Sequence, residues 1–258
     1  MSRISFSNIN SWQDFKSYAE SLPNTKQMGD AFEHLTYLYF KLDPKYSFYD
    51  EVYKMSEVPS SDLEKLKIPR QDLGIDLIAK VGEEYHPIQC KYHTDKKRSI
   101  TFSEVSTFLT QLGSNSYFKM GYIASSADNT SSNYNKLNTK EVQKLLNNTW
   151  FNLDKVFFDR VREFEKGKEY SPKPYFPREH QKTAVENAHK HFVEENNSRG
   201  KLIFPCGAGK SLTGYWMMEK LASKSTVVAV PSLSLIKQTL DVYLKEVVAR
   251  NFSVKWLC

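Results

Sequence analysis

The stretch Gly74-Ile75-Asp76-Leu77-Ile78, followed shortly by Ile88-Gln89-Cys90-Lys91, decides the fold of the first part of the chain. Each string sets polar groups inside an apolar run. Along a strand over 84–92, side chains alternate between faces, so Gln89 and Lys91 point one way and Ile88 and Cys90 the other. On a preceding strand over 74–80, Ile75, Leu77 and Ala79 share one face and Asp76 projects from the opposite one. Two neighbouring strands of this kind place Asp76, Gln89 and Lys91 in one cleft. A carboxylate and an ammonium inside apolar strands are costly unless they pair or bind something. Hydrolysing a phosphodiester needs a divalent cation held by oxygen ligands, and positive charge near the attacking water or the scissile phosphate. These residue types supply both. Asp72 competes with Asp76 for the carboxylate role, and Asp76 is preferred because it lies within the strand.

Helices frame these strands. Residues 11–22 read as a helix capped by Ser11. Residues 25–42 read as a longer one, with Thr25 as N-cap and Met28, Phe32, Leu35, Tyr39 and Leu42 at helical spacing. Further strands are expected at 48–53 and 119–124, with helices at 102–112 and 152–165. Helices around a short mixed sheet define an α/β or α+β domain over 1–165. Residues 166–177, with three prolines, a glycine and many charges, read as a linker.

The second informative string is Pro205-Cys206-Gly207-Ala208-Gly209-Lys210-Ser211, between an apolar run and a helical one. Backbone N–H groups of a glycine loop can wrap a phosphate chain, and the following helix N-terminus adds favourable partial charge. In this reading Gly207, Ala208 and Gly209 cradle the phosphates of ATP, Lys210 reaches the β- and γ-phosphates, and the Ser211 hydroxyl binds their Mg²⁺. Around the loop we expect helices over 178–195, 210–222 and 234–249 and strands over 201–204, 226–230 and 253–257. That alternation opens a parallel nucleotide-binding sheet over 178–258. The sheet then stops, which leads us to expect a longer polypeptide. No acidic box follows to hold Mg²⁺ and water, so the chain is expected to bind nucleotide weakly and not to hydrolyse it.

Composition sets bounds. The longest apolar runs fall short of a membrane span, and the N-terminus lacks the apolar core of a signal peptide. Cys90, Cys206 and Cys258 have no disulfide or metal spacing, which fits a reducing, cytoplasmic setting; Cys90 reads as a small buried hydrophobe. The net charge of +6 is uneven. Residues 1–165 hold 21 Lys and Arg against 22 Asp and Glu, a net of −1, whereas residues 166–258 hold 15 against 8, a net of +7. A domain that captured DNA by electrostatics alone would be clearly basic, and the first part is not.

The residues of the first string resemble the Mrr-like branch of the PD-(D/E)XK nucleases, which uses Asp, then Gln-x-Lys in place of Glu-x-Lys. Gly29-Asp30-Ala31-Phe32-Glu33 is similar to that branch's Gly-x-x-Phe-Glu opening. The resemblance implies Asp76 and Glu33 as Mg²⁺ ligands, with the Gln89 amide oxygen and the Cys90 carbonyl helping. It implies Lys91 as the group that positions or activates the attacking water. Read alone, Glu33 is equally a solvated helix residue. Lys96-Lys97-Arg98 either tracks a phosphate backbone or forms a solvated turn. The glycine loop resembles motif I of superfamily 2 helicases, which tolerate Phe204 where the strict pattern wants glycine. The segment 178–185 resembles the upstream element of helicase-like restriction subunits, implying that Gln181 contacts adenine with Arg178 in support. The segment 227–238 resembles motif Ia, implying that Ser232 and Lys237 meet the DNA backbone.

Nuclease first and motor second resembles the type ISP single-polypeptide restriction-modification enzymes. The resemblance implies a Mg²⁺-dependent endonuclease coupled to an ATP-dependent translocase on double-stranded DNA. It also implies downstream methyltransferase and target-recognition domains, the former using S-adenosylmethionine. Two other readings stand beside this one. Residues 1–165 could be a catalytically inactive DNA-binding or docking module on a remodelling motor, or an unrelated interaction domain on a plain helicase.

Overall fold

The computed structural model describes residues 6–70, 74–95, 98–131, 141–168, 174–205 and 207–250, without the side chains of residues 233, 234, 237 and 248. Asp72, Lys96, Lys97, Cys206, Cys258, the Lys237 side chain and the expected strand over 253–257 lie outside the described residues, as does part of the linker over 166–177. The chain divides into two compact units, Met1–Tyr170 and Ser171–Cys258.

The first unit is a five-stranded mixed sheet between helical layers. Its elements are α1 (Trp12–Glu20), α2 (Thr25–Leu42), β1 (Glu51–Lys54), α3 (Ser60–Leu66), β2 (Leu77–Val81), β3 (Glu84–Lys91), α4 (Phe102–Ser114), β4 (Gly121–Ser125), β5 (Val142–Leu145), α5 (Asn147–Trp150) and α6 (Lys155–Glu165). The strands lie in sequence order. β1–β2 and β2–β3 are antiparallel, and β3–β4 and β4–β5 are parallel. A tight turn suffices between β2 and β3, whereas the parallel β3–β4 pair needs the long crossover that contains α4.

Helix ends follow their side chains. Ser11 accepts a hydrogen bond from the Asp14 N–H and caps α1. The N-cap of α2 is Asn24 rather than Thr25: its amide oxygen accepts from the Gln27 N–H at 2.9 Å, so Thr25 becomes the first helical residue. On one face of the sheet Phe32, Leu35 and Tyr39 of α2 pack with Leu77, Ala79, Ile88, Tyr122 and Phe158. On the other, Phe108 and Leu112 of α4 pack with Ile75, Ile78, Tyr85 and Ile123.

The expected face-sharing of Ile75, Leu77 and Ala79 is therefore wrong at its first member. Ile75 belongs to the α4 side and the other two to the α2 side. β2 starts at Leu77, and the residues before it follow Gly74, whose φ of +74° breaks the strict alternation of a strand.

The second unit is built on α7 (Glu179–His189, continued by a π turn over Lys190–Glu194), α8 (Lys210–Lys220) and α9 (Leu233–Ala249). Val185, Tyr215, Trp216, Tyr243 and Val247 form its core. Among its described residues there is no strand, which corrects the expectation at 201–204 and 226–230. A parallel strand exists only through neighbours remote in sequence. Here Ile203 is 78% and Val227 95% exposed, so neither run is paired or covered.

Candidate nuclease centre and nucleotide loop

Asp76 sits just before β2 and is fixed through its main chain and its side chain. Its N–H donates to the Ile88 carbonyl at 3.0 Å and its carbonyl accepts from the Met55 N–H at 2.9 Å. Its carboxylate accepts from the Cys90 N–H at 2.6 Å. Asp76 thus grips β3 on both sides of Gln89. Gln89 is 3% exposed, and its amide oxygen has no hydrogen-bond partner among the described residues. A buried acceptor left without a donor costs on the order of 1–3 kcal/mol. A cation would remove that cost.

Gly74 is required beside it. A Cβ there would stand 3.1 Å from the Gln89 amide nitrogen and 3.2 Å from the Phe108 nitrogen, at a positive φ that already disfavours any side chain.

Glu33 enters from α2. Burial, and next the charge of Asp76, push its carboxyl up to about 7. The two carboxylates therefore feel one another. The Cys90 thiol, beside both, is held well above its ordinary range by burial, then by Asp76 and Glu33. By exposure Cys90 is half-buried. Lys91 follows as the last residue of β3 and is half-buried. Among the described residues no three His, Cys, Asp or Glu side chains gather as a metal cluster. Asp76 and Glu33 are carboxylates and the Gln89 side chain carries a neutral amide oxygen, donors of the type that suit a hard cation such as Mg²⁺. Two mutually repelling carboxylates fit such an ion.

The structure thus brings Glu33, Asp76 and the β3 segment carrying Gln89 to one end of the sheet. Arg98 lies apart from them, exposed, with its guanidinium 3.5 Å from Glu104.

In the second unit Gly207 and Gly209 adopt φ of +78° and +79°, which lets the loop fold back onto the start of α8. Gln181, 4% exposed, donates to the Ala208 carbonyl at 3.0 Å and accepts from the Arg178 N–H at 2.8 Å. A Cβ on Gly209 would come within 2.5 Å of the Gln181 amide nitrogen. Gln181 is thus tied to the glycine loop itself, with both ends of its amide engaged. Lys210 folds back to donate to the Phe204 and Pro205 carbonyls, each at 3.2 Å. Ser211 is half-buried in the first turn of α8. Ser232 accepts from the Leu235 N–H and closes the first turn of α9.

Comparisons with known proteins agree with this architecture. Residues 41–161 match the Mrr-type family described as "Restriction endonuclease", and residues 175–255 match the family described as "Type III restriction enzyme, res subunit". Asp76, Gln89 and Lys91 fall inside the first match and Glu33 before it. No curated protein matches the chain. Among solved structures, it is similar to the "ATP-dependent Type ISP restriction-modification enzyme LlaBIII bound to DNA", with 28% identity over 91% of this chain and a TM-score of 0.66. The chain spans 15% of the length of that protein.

The fold and these matches define an Mrr-type restriction-endonuclease domain followed by a helicase-like region. In that order of parts the chain resembles a type ISP restriction-modification enzyme.

Proposed function

We propose that the first unit is a Mg²⁺-dependent DNA endonuclease and that the second binds ATP as part of a double-stranded DNA translocase. The observations that support the nuclease reading are that Asp76 is bonded to β3 on both sides of the buried, unpartnered Gln89 and that its charge acts on the Glu33 carboxyl. Asp76 and Glu33 would hold the metal, and the Gln89 amide oxygen would offer a further ligand. When bound, the metal supplies Lewis-acid stabilisation of the scissile phosphate. The Cys90 N–H holds the Asp76 carboxylate in one orientation, so it meets the ion without rearranging. Lys91 positions the attacking water and lowers the cost of its deprotonation.

In the second unit Gly207, Ala208 and Gly209 enclose the phosphates. Lys210 exchanges its two carbonyl acceptors for phosphate oxygens, and Ser211 holds the nucleotide's Mg²⁺. Gln181 acts through the loop backbone; a contact with adenine would require its amide to leave Ala208 or Arg178. Lys96, Lys97, Arg98, Ser232 and Lys237 remain proposals for backbone contacts to DNA. A longer polypeptide with methyltransferase and target-recognition parts is part of the same reading, since LlaBIII is a restriction-modification enzyme of far greater length.

Plasmid nicking tests the nuclease centre. The chain is expected to convert supercoiled DNA to nicked and linear forms with Mg²⁺ or Mn²⁺, and Asp76→Ala to reduce the rate at least about a hundredfold, the scale at which losing one positioned catalytic group is felt. Unchanged cleavage in Asp76→Ala, or none by the wild type at any metal concentration, would favour the docking-module reading.

A further inference from the structure

β1 ends on Lys54, which pairs with Leu77 across the sheet, and the next residue, Met55, donates its N–H to the Asp76 carbonyl. Main-chain bonding therefore delivers Lys54 to the end of the sheet that holds Asp76. Its side chain is half-buried, with the ammonium 5.7 Å from the centre of the Tyr37 ring. Tyr37 lies one helical turn beyond Glu33 on α2, so the two share a face. The lysine's charge is felt at both Glu33 and His34. Yet Lys54 forms no ion pair among the described residues.

A lysine whose sole role was to neutralise Glu33 would close on its carboxylate. This one rests instead at the π face of a tyrosine, a contact worth only about 0.5–1 kcal/mol at exposed sites. Its three N–H donors thus remain available to a stronger acceptor. Backbone phosphates are the anions that a duplex brings to a sheet end, and one lysine matches one phosphate as a point charge. We propose that Lys54, on the α2 side of the sheet end that holds Asp76, binds a DNA backbone phosphate adjoining the scissile one. This rests on the nuclease reading above.

The test uses the whole chain with a fluorescein-labelled duplex, Ca²⁺ replacing Mg²⁺ so that DNA stays uncut, over a series of salt concentrations. Lys54→Ala is expected to weaken binding roughly five- to tenfold near about 0.1 M salt and to lower the salt slope by about one. Lys54→Arg, which keeps the charge, recovers most of the affinity. In Mg²⁺, Lys54→Ala raises KM for nicking more than it lowers kcat. A lysine that merely offsets Glu33 gives the contrary pattern: unchanged affinity and salt slope, with a lower half-saturating Mg²⁺ concentration. That result overturns the proposal while Asp76→Ala still abolishes nicking. A wild-type chain that does not nick at any Mg²⁺ or Mn²⁺ concentration overturns the nuclease reading and the lysine's place in it together. Thermal unfolding of each variant confirms that the fold is intact.

Discussion

Gln89 and Gly209 show how much one residue can carry. A glutamine amide oxygen is a neutral, weaker cation ligand than a carboxylate, and this one is buried with nothing to accept from. Gln89→Glu adds a third negative charge to Asp76 and Glu33. Without metal, that charge is expected to lower the melting temperature, because like charges crowd in a poorly hydrated site. With Mg²⁺ it is expected to restore the melting temperature and to reduce the half-saturating metal concentration about three- to tenfold; metal titration of nicking and of thermal stability reads both. Gly209→Ala acts differently. It places a methyl group within 2.5 Å of the Gln181 amide nitrogen, at a backbone angle that costs an L-residue about 1–2 kcal/mol. The Gln181–Ala208 hydrogen bond must break or the loop must shift. Binding of a fluorescent ATP analogue is expected to fall at least about tenfold, while nicking by the first unit stays at the wild-type rate. Both residues stood out in the sequence, Gln89 because it interrupts an apolar run and Gly209 because it belongs to the glycine loop. The partners that give them meaning did not: Gly74 beside Gln89, and Ala208 beneath Gln181, meet only through the fold.

At the scale of elements, α3 and the β2–β3 hairpin are joined by one polar cluster. Asp62 of α3 accepts from the Lys80 ammonium at 2.9 Å and from the Tyr85 hydroxyl at 2.7 Å, and Lys80 also lies 5.3 Å from the Tyr85 ring centre. Burial works to raise the Asp62 carboxyl, but the hydrogen bonds from Tyr85 and Lys80 outweigh it and hold the group below its ordinary range. The same pair raises Lys80. A carboxyl depressed on folding contributes stability above its unfolded pKa, about 3.9, and loses it as pH falls through the lower folded value. Asp62→Asn is expected to cost about 1–3 kcal/mol at neutral pH and to flatten the acid limb of a stability–pH curve measured by urea unfolding. A variant that keeps the full acid limb would remove Asp62 from this account. The sequence did not disclose α3. It is seven residues long, and Lys67 at φ +53° ends it where a glycine would have announced the stop. β5, four residues with Gln and Lys among them, was equally silent. By contrast α2, with apolar residues recurring over 18 positions, and β3, with eight residues of strand pattern, were readable to within a residue of their ends. Long periodic elements carry their own signal, whereas short ones are stabilised by neighbours that the local sequence does not name.

For the whole molecule, charge and chemistry divide along the same line as the two units. Residues 1–165 carry a net −1 and hold the carboxylate centre; residues 166–258 carry +7 and hold the glycine loop. A nearly neutral nuclease gains little from the counterion release that drives duplex binding, so DNA must reach it mainly through a basic partner surface or a few placed cations. On the proposed reading, tethering to a DNA-binding motor would supply the first by raising the local concentration of duplex, and weak intrinsic affinity would then limit cutting of DNA that the motor has not engaged. If the units hold independent sites, two substitutions must dissociate their activities. Lys210→Ala removes the ammonium that would meet the β- and γ-phosphates. It is expected to abolish binding of an ATP analogue, measured by fluorescence anisotropy, and to leave the Mg²⁺-dependent nicking rate of the same preparation unchanged. Asp76→Ala is expected to do the reverse. The two sites share no residue, so a Lys210→Ala chain that melts like the wild type yet nicks more slowly would show that the nuclease centre depends on the nucleotide loop. It would then have to be treated as one half of a coupled machine rather than as a self-contained enzyme.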